Sequence, residues 1–208
     1  MRAQHPDPNE PWPNEMVLTI EATNASAALL LFVRDAWGLD TGEMPALDPP
    51  ALASDTVRPP GLDTVELVEL WKHDWEQVWR QYEPHSTGVS EPDAQTQFLL
   101  DTLSDEELWE VMSTEPSRLW SEGLDEATFD QWTHLLEDDI SLPVDATPER
   151  MSLNAVIEAW RRGLTHILEV PFAGYYAERI SPSHLVVSIA TRKDPVLYQR
   201  ALREPLSS

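Results

Sequence analysis

Apolar positions along this 208-residue chain recur with helical spacing in some stretches and alternate in others. The clearest helix opens at Asp63. Leu67, Leu70, Trp71, Trp75, Val78, Trp79 and Tyr82 share one face of it. Asp63 as N-cap and Glu66 at the third helical position form a capping box, with Leu62 and Leu67 as the hydrophobic staple beside it. Ser104, Glu107, Leu103 and Leu108 repeat that grammar over a helix ending near Ser113. Between the two, a break around Pro84 and Gly88 is followed by a helix from Ser90 or Glu91 through Phe98, Leu99 and Leu103. Asn24 caps an earlier helix running to Trp37 and stopped by Gly38. After a short turn at Leu119 and Trp120, closed by Gly123, the residues Phe129, Trp132, Leu135 and Leu136 predict a helix opening at Asp125.

Alternation and turn residues mark the rest. Met16–Ala22 is β-rich, and Pro45, Pro49, Pro50, Pro59 and Pro60 make residues 39–62 an extended connection, laid over the surface or wrapped around a neighbouring element. Thr147 with Pro148 opens a helix through Val156, Ile157 and Trp160, which Arg161, Arg162 and Gly163 close. Three short β runs follow at Thr165–Val170, Tyr175–Ile180 and Leu185–Ala190. The turns Pro171–Gly174 and Ser181–Ser183 between them predict an antiparallel meander. Asp194 and Pro195 start a last helix.

The expected class is α+β: a helix-rich acidic part, then an α-β-β-β-α unit with a small antiparallel sheet. Residues 1–15, with four Pro among polar residues, read as a flexible tail. Residues 16–147 form the acidic helical part, and residues 148–208 the C-terminal unit. No Gly/Ser linker divides them, and a strand at Met16–Ala22 that joined the later sheet would make one domain of both.

Charge changes this picture most. Residues 1–147 carry 31 Asp/Glu against 6 Lys/Arg, a balance of −25, whereas residues 148–208 carry 6 against 8, a balance of +2. Such a field repels phosphate backbones and anionic membrane surfaces, and so disfavours direct nucleic-acid binding. Nine Trp and 41% hydrophobic residues nonetheless demand a packed core. No Cys is present, which excludes disulfides, thiolate zinc sites and thiol catalysis. The first residues lack the apolar segment of a signal peptide, and no apolar run is long enough to span a bilayer; the expected location is cytoplasmic.

Candidate chemistry is sparse. No Gly-x-Ser-x-Gly elbow, P-loop or GxGxxG occurs, and seven Gly cannot build a phosphate cradle. His73 lies near Glu76 and Gln77, and His134 near Glu137 and Asp138, but no His pair stands four residues apart, so neither a metal nor a cofactor is expected. The stripe Trp71, Trp75 and Trp79 fits a core face better than an exposed anchor.

Two clusters remain. Asp105, Glu106, Glu107 and Glu110, with Asp125, Glu126, Asp130, Glu137, Asp138 and Asp139, exceed what helix capping uses. They point to a non-catalytic protein that presents acidic helices to a basic protein partner, as an immunity- or antitoxin-like inhibitor or a nucleic-acid mimic does. The alternative is a small enzyme or ligand-binding protein whose anion site uses Arg179, Arg192, Lys193, His166 and His184 on the C-terminal sheet and flanking helices. Docking of these basic residues against the acidic part is the simpler account of that cluster.

Overall fold

The computed structural model describes residues 12–42, 44–80, 82, 120–136, 143 and 146–206. Among these the chain forms β1 (Thr19–Glu21), α1 (Ala25–Ala36), α2 (Thr64–Arg80), α3 (Glu126–Leu136), α4 (Pro148–Met151) and α5 (Leu153–Arg161). It continues as β2 (His166–Val170), β3 (Ala177–Glu178), β4 (His184–Ser188), α6 (Ile189–Lys193) and α7 (Pro195–Ala201). The fold is α+β. The expected helix over residues 91–103 and the one opening at Ser104 lie outside the described residues.

One four-stranded sheet, in the order β1-β2-β4-β3, organises the molecule. β1 runs parallel to β2, and β2 parallel to β4, with Thr19, His166 and His184 in register; only β3 is antiparallel, to β4. The sheet is therefore mixed, and the expected antiparallel meander holds only for the β3–β4 hairpin. β2 and β4 are buried along four of their five residues, the mark of strands covered on both faces, as parallel strands usually are. The Pro171–Gly174 segment does not make a hairpin. It crosses the end of β4, where the Ser188 hydroxyl donates to the Gly174 carbonyl at 2.6 Å and the Tyr176 N–H donates to Thr191 Oγ1 at 3.0 Å.

Alternation along the strands divides the interior into two clusters, one on each face. Leu168, Val170 and Val186 point to the side where α1, α2, α3 and Trp120 pack. Ile167, Leu185 and Val187 point to the other, against α5, α7, Met16 and Leu18. β1, from the acidic part, thus joins the sheet of the C-terminal unit. Trp12 belongs to the second cluster at 2% exposure and donates its indole N–H to the Met16 carbonyl, so the Pro-rich tail packs from Trp12 onward.

The helix signals act as local chemistry requires. Asn24 Oδ1 accepts from the Ala27 N–H at 2.7 Å. Asp63 Oδ1 accepts from the Glu66 N–H at 2.9 Å while Glu66 Oε2 accepts from the Asp63 N–H at 2.9 Å, closing the capping box. Gly38, at φ +59°, supplies the left-handed turn that ends this first helical run. The connection over residues 39–62 is laid along two neighbours: Leu47 bridges Phe172, and the Trp132 indole donates to the Pro49 carbonyl. The helix expected from Pro148 to Trp160 is broken at Ser152, which leaves α4 and α5 as separate pieces.

Candidate functional site

Two outer surfaces flank the sheet, and they differ in charge. Asp63, Glu66, Glu69 and Glu76 are exposed at and along α2, with Lys72 and Arg80 the exposed cations among them, and Glu122, Glu126 and Asp130 are exposed around α3. Over the opposite face, Arg161, Arg162, Lys193, Arg200 and Arg203 are exposed, with Glu158 and Asp194 the exposed acids among them. Of the acids singled out from sequence, Glu126 and Asp130 stand free on the surface of α3. Asp125 is engaged in capping: it accepts from the Thr128 N–H and hydroxyl and from the Asp55 N–H. The Thr128 bonds hold its carboxyl below the usual range. Asp105, Glu106, Glu107, Glu110, Glu137, Asp138 and Asp139 lie outside the described residues.

Arg192 sits in a buried network rather than on an anion site. Its Nε and Nη2 donate to the two carboxylate oxygens of Glu149 at 2.8 and 3.1 Å, and its Nη1 donates to Glu169 Oε1 at 3.1 Å. The Tyr198 hydroxyl donates to Glu149 Oε1 at 3.1 Å. Glu149 and Tyr198 are fully buried. Burial opposes the Arg192 charge, but the bonds to Glu149 and the attraction of Glu169 and Glu149 outweigh it and raise its pKa further. Burial, then the Glu149 charge, pushes the Tyr198 hydroxyl well up, so it stays a proton donor. Two carboxylates already surround one guanidinium here, which leaves no net attraction for an external anion.

The remaining residues of that cluster are dispersed. His166 and His184 stack at 4.6 Å between ring centroids, on the sheet face opposite the one from which Glu169 reaches Arg192. Their Nδ1 atoms engage hydroxyls, Thr165 Oγ1 for His166 and Ser181 and Ser183 Oγ for His184, each at 2.9 Å. Burial, with the His166 charge, lowers the His184 pKa. Tyr82 packs on the His184 ring at 5.1 Å. Arg179 is buried and donates to the carbonyls of Ser181 and Pro182, clasping the β3–β4 turn. Lys193 is exposed at the end of α6. The structure brings the two histidines together and separates them from Arg192, while Arg179 meets His184 only through the β3–β4 turn, where both engage Ser181.

Trp71 is fully buried and donates its indole N–H to the Leu30 carbonyl at 2.6 Å; Trp75 stacks on it at 5.3 Å, and Trp79 meets Trp75 edge-on. The stripe is core, with Trp75 and Trp79 partly covered at its margin. His73 pairs with Gln77 at 3.3 Å, and among the described residues no group of three or more His, Asp or Glu is placed to hold a metal ion. No described helix is long and apolar enough to cross a membrane. Sequence reading missed Glu149, Glu169 and Tyr198, the partners of Arg192; Glu149 beside Pro148 reads as an ordinary first-turn acid. No protein-family model, curated protein or solved structure matches this chain.

Proposed function

We propose that this chain is a non-catalytic binding protein whose acidic helical surface engages a basic protein, in the manner of an immunity- or antitoxin-like inhibitor or a nucleic-acid mimic. The observation that supports this reading is the segregation of charge across the sheet. Between Glu21 and Leu136 the described residues hold 14 Asp/Glu against four Lys/Arg, and those flanking α2 and α3 project outward. Caps account for Asp63 and Asp125, and Lys72 pairs with Glu69, but neither role falls to Glu76, Glu126 or Asp130. A surface this acidic repels itself, and a complementary partner relieves that repulsion while steering association.

The test is affinity capture at low and at high salt, with the wild-type chain and a variant carrying E66Q, E69Q, E76Q, E126Q and D130N. The reading expects a basic protein retained at low salt, released at high salt and lost by the variant. Capture of no basic protein, or capture indifferent to the five substitutions, rejects it.

A further inference from the structure

The surface over α5 and α7 has no role in engaging a basic partner, yet it carries its own charge pattern. Arg161 and Arg162 end α5, and Arg162 Nη2 donates to the Leu202 carbonyl at 2.7 Å, which ties that end beside Arg203. Val196, Arg200 and Arg203 follow one another at spacings of four and three, so they share one side of α7 and the turn after it. Arg200 lies over the Tyr175 ring at 4.1 Å. Among the described residues Arg161, Arg200 and Arg203 are exposed and form no ion pair. The exposed acids beside them are Glu158 and Asp194, and Asp194 is engaged in capping α7. Val196 is 76% exposed on this basic side, and Val65 is 71% and Leu135 53% exposed on the acidic one. Each outer surface therefore combines one sign of charge with uncovered apolar side chains.

We propose that the basic face over α5 and α7 docks on the acidic face of a second copy of this chain. Charge selects the occupant. Glu76, Glu126 and Asp130 on α2 and α3 are exposed carboxylates that serve neither a cap nor an ion pair among the described residues. They complement the arginines, whereas two acidic faces or two basic faces repel, so pairing of like with like is disfavoured. The two faces lie on opposite sides of the sheet. A contact between them is consequently head-to-tail, and each added copy presents one further face of each sign, so the assembly extends rather than stopping at two. The formal charge of −23 opposes approach from a distance. In about 0.1 M salt, however, the Debye length is roughly 10 Å, and the facing surfaces govern the contact. The inference rests on the acidic surface being open to contact, not on a different protein binding there; a copy and a basic partner compete for the same acids.

The test is sedimentation equilibrium of the purified chain up to about 0.5 mM, in about 0.1 M and about 1 M sodium chloride. Three variants accompany it: R161Q/R203Q on the basic face, E76Q/E126Q/D130N on the acidic face, and K72Q/R80Q as control. All these residues are exposed, and the control removes the same charge as the first variant, but from among the acids of α2. The wild-type mass should rise above that of the monomer with concentration at low salt and return to it at high salt. Each face variant should lower the association constant about fivefold or more, and the control should not lower it. Mixing the two face variants should restore association, now ending at a one-to-one dimer, because the mixture keeps one intact face of each sign. A monomer at every concentration overturns the proposal, as does association that survives high salt. So does equal weakening by the control, stronger association of the acidic-face variant, or no gain on mixing. No other protein takes part, so a monomer here leaves the capture reading standing, and failed capture leaves self-association standing.

Discussion

Arg192 is held by two carboxylates and lies within a network that Tyr198 completes through Glu149. Removing Arg192 leaves the fully buried Glu149 carboxylate without its cation, and that penalty exceeds what the intact network contributes. Arg192→Ala should therefore cost about 3–5 kcal/mol in urea denaturation. A loss below about 1 kcal/mol, as for an exposed pair, would show that water reaches the site. His184 behaves differently. Its folded-state pKa lies below the unfolded value, so the unfolded chain binds more protons as pH falls through about 6.5. Its contribution to stability is complete above that pH and declines below it, until the folded-state pKa is reached. His184→Gln should flatten the stability profile between pH 7 and pH 5, as measured by denaturant midpoints.

Elements differ in how much of their stability is local. The capping box of α2 is made by Asp63 and Glu66 on the exposed side of the helix start. Asp63→Ala should cost about 1 kcal/mol, visible as a fall in the denaturant midpoint with an unchanged slope. Trp71 anchors the same helix through tertiary contacts, filling the space beside α1 and donating to Leu30. Trp71→Ala should cost about 3–5 kcal/mol, well beyond the cap, because a large cavity is left behind. Both ends of that comparison are legible in the chain: the cap from Asp-x-x-Glu, the buried face from spacing. The β2 and β4 segments are legible as strands but not as parallel partners. Alternation fixes which residues share a face and says nothing of direction, and a Pro-Phe-Ala-Gly turn suits a hairpin as well as a crossing loop.

For the whole molecule, charge makes two opposed predictions about salt. Added sodium chloride screens repulsion among the acids around α2 and α3, so the isolated protein should melt at a higher temperature as salt rises. The same salt should weaken association with a basic partner and slow its on-rate. A melting temperature that falls with salt would mean that attractive pairs, not repulsion, dominate the surface. The contrast between the outer surfaces arises because β1 carries the acidic part onto the sheet of the C-terminal unit, which places α1, α2 and α3 on one face and α5 and α7 on the other.

The chain by itself determined α1, α2, α3 and α7 with their caps at Asn24, Asp63, Asp125 and Asp194, the aromatic core face and the change of charge near residue 147, because each depends on residues within a few turns of one another. Tertiary structure alone decided the strand directions, the burial of Trp12 and the fate of the basic cluster. Arg192 finds Glu149 and Glu169 at separations of 43 and 23 residues, and such distances leave no periodic signal. The acids of α2 and α3 were legible as an excess; that they face away from the basic surface follows from which side of the sheet each helix packs upon.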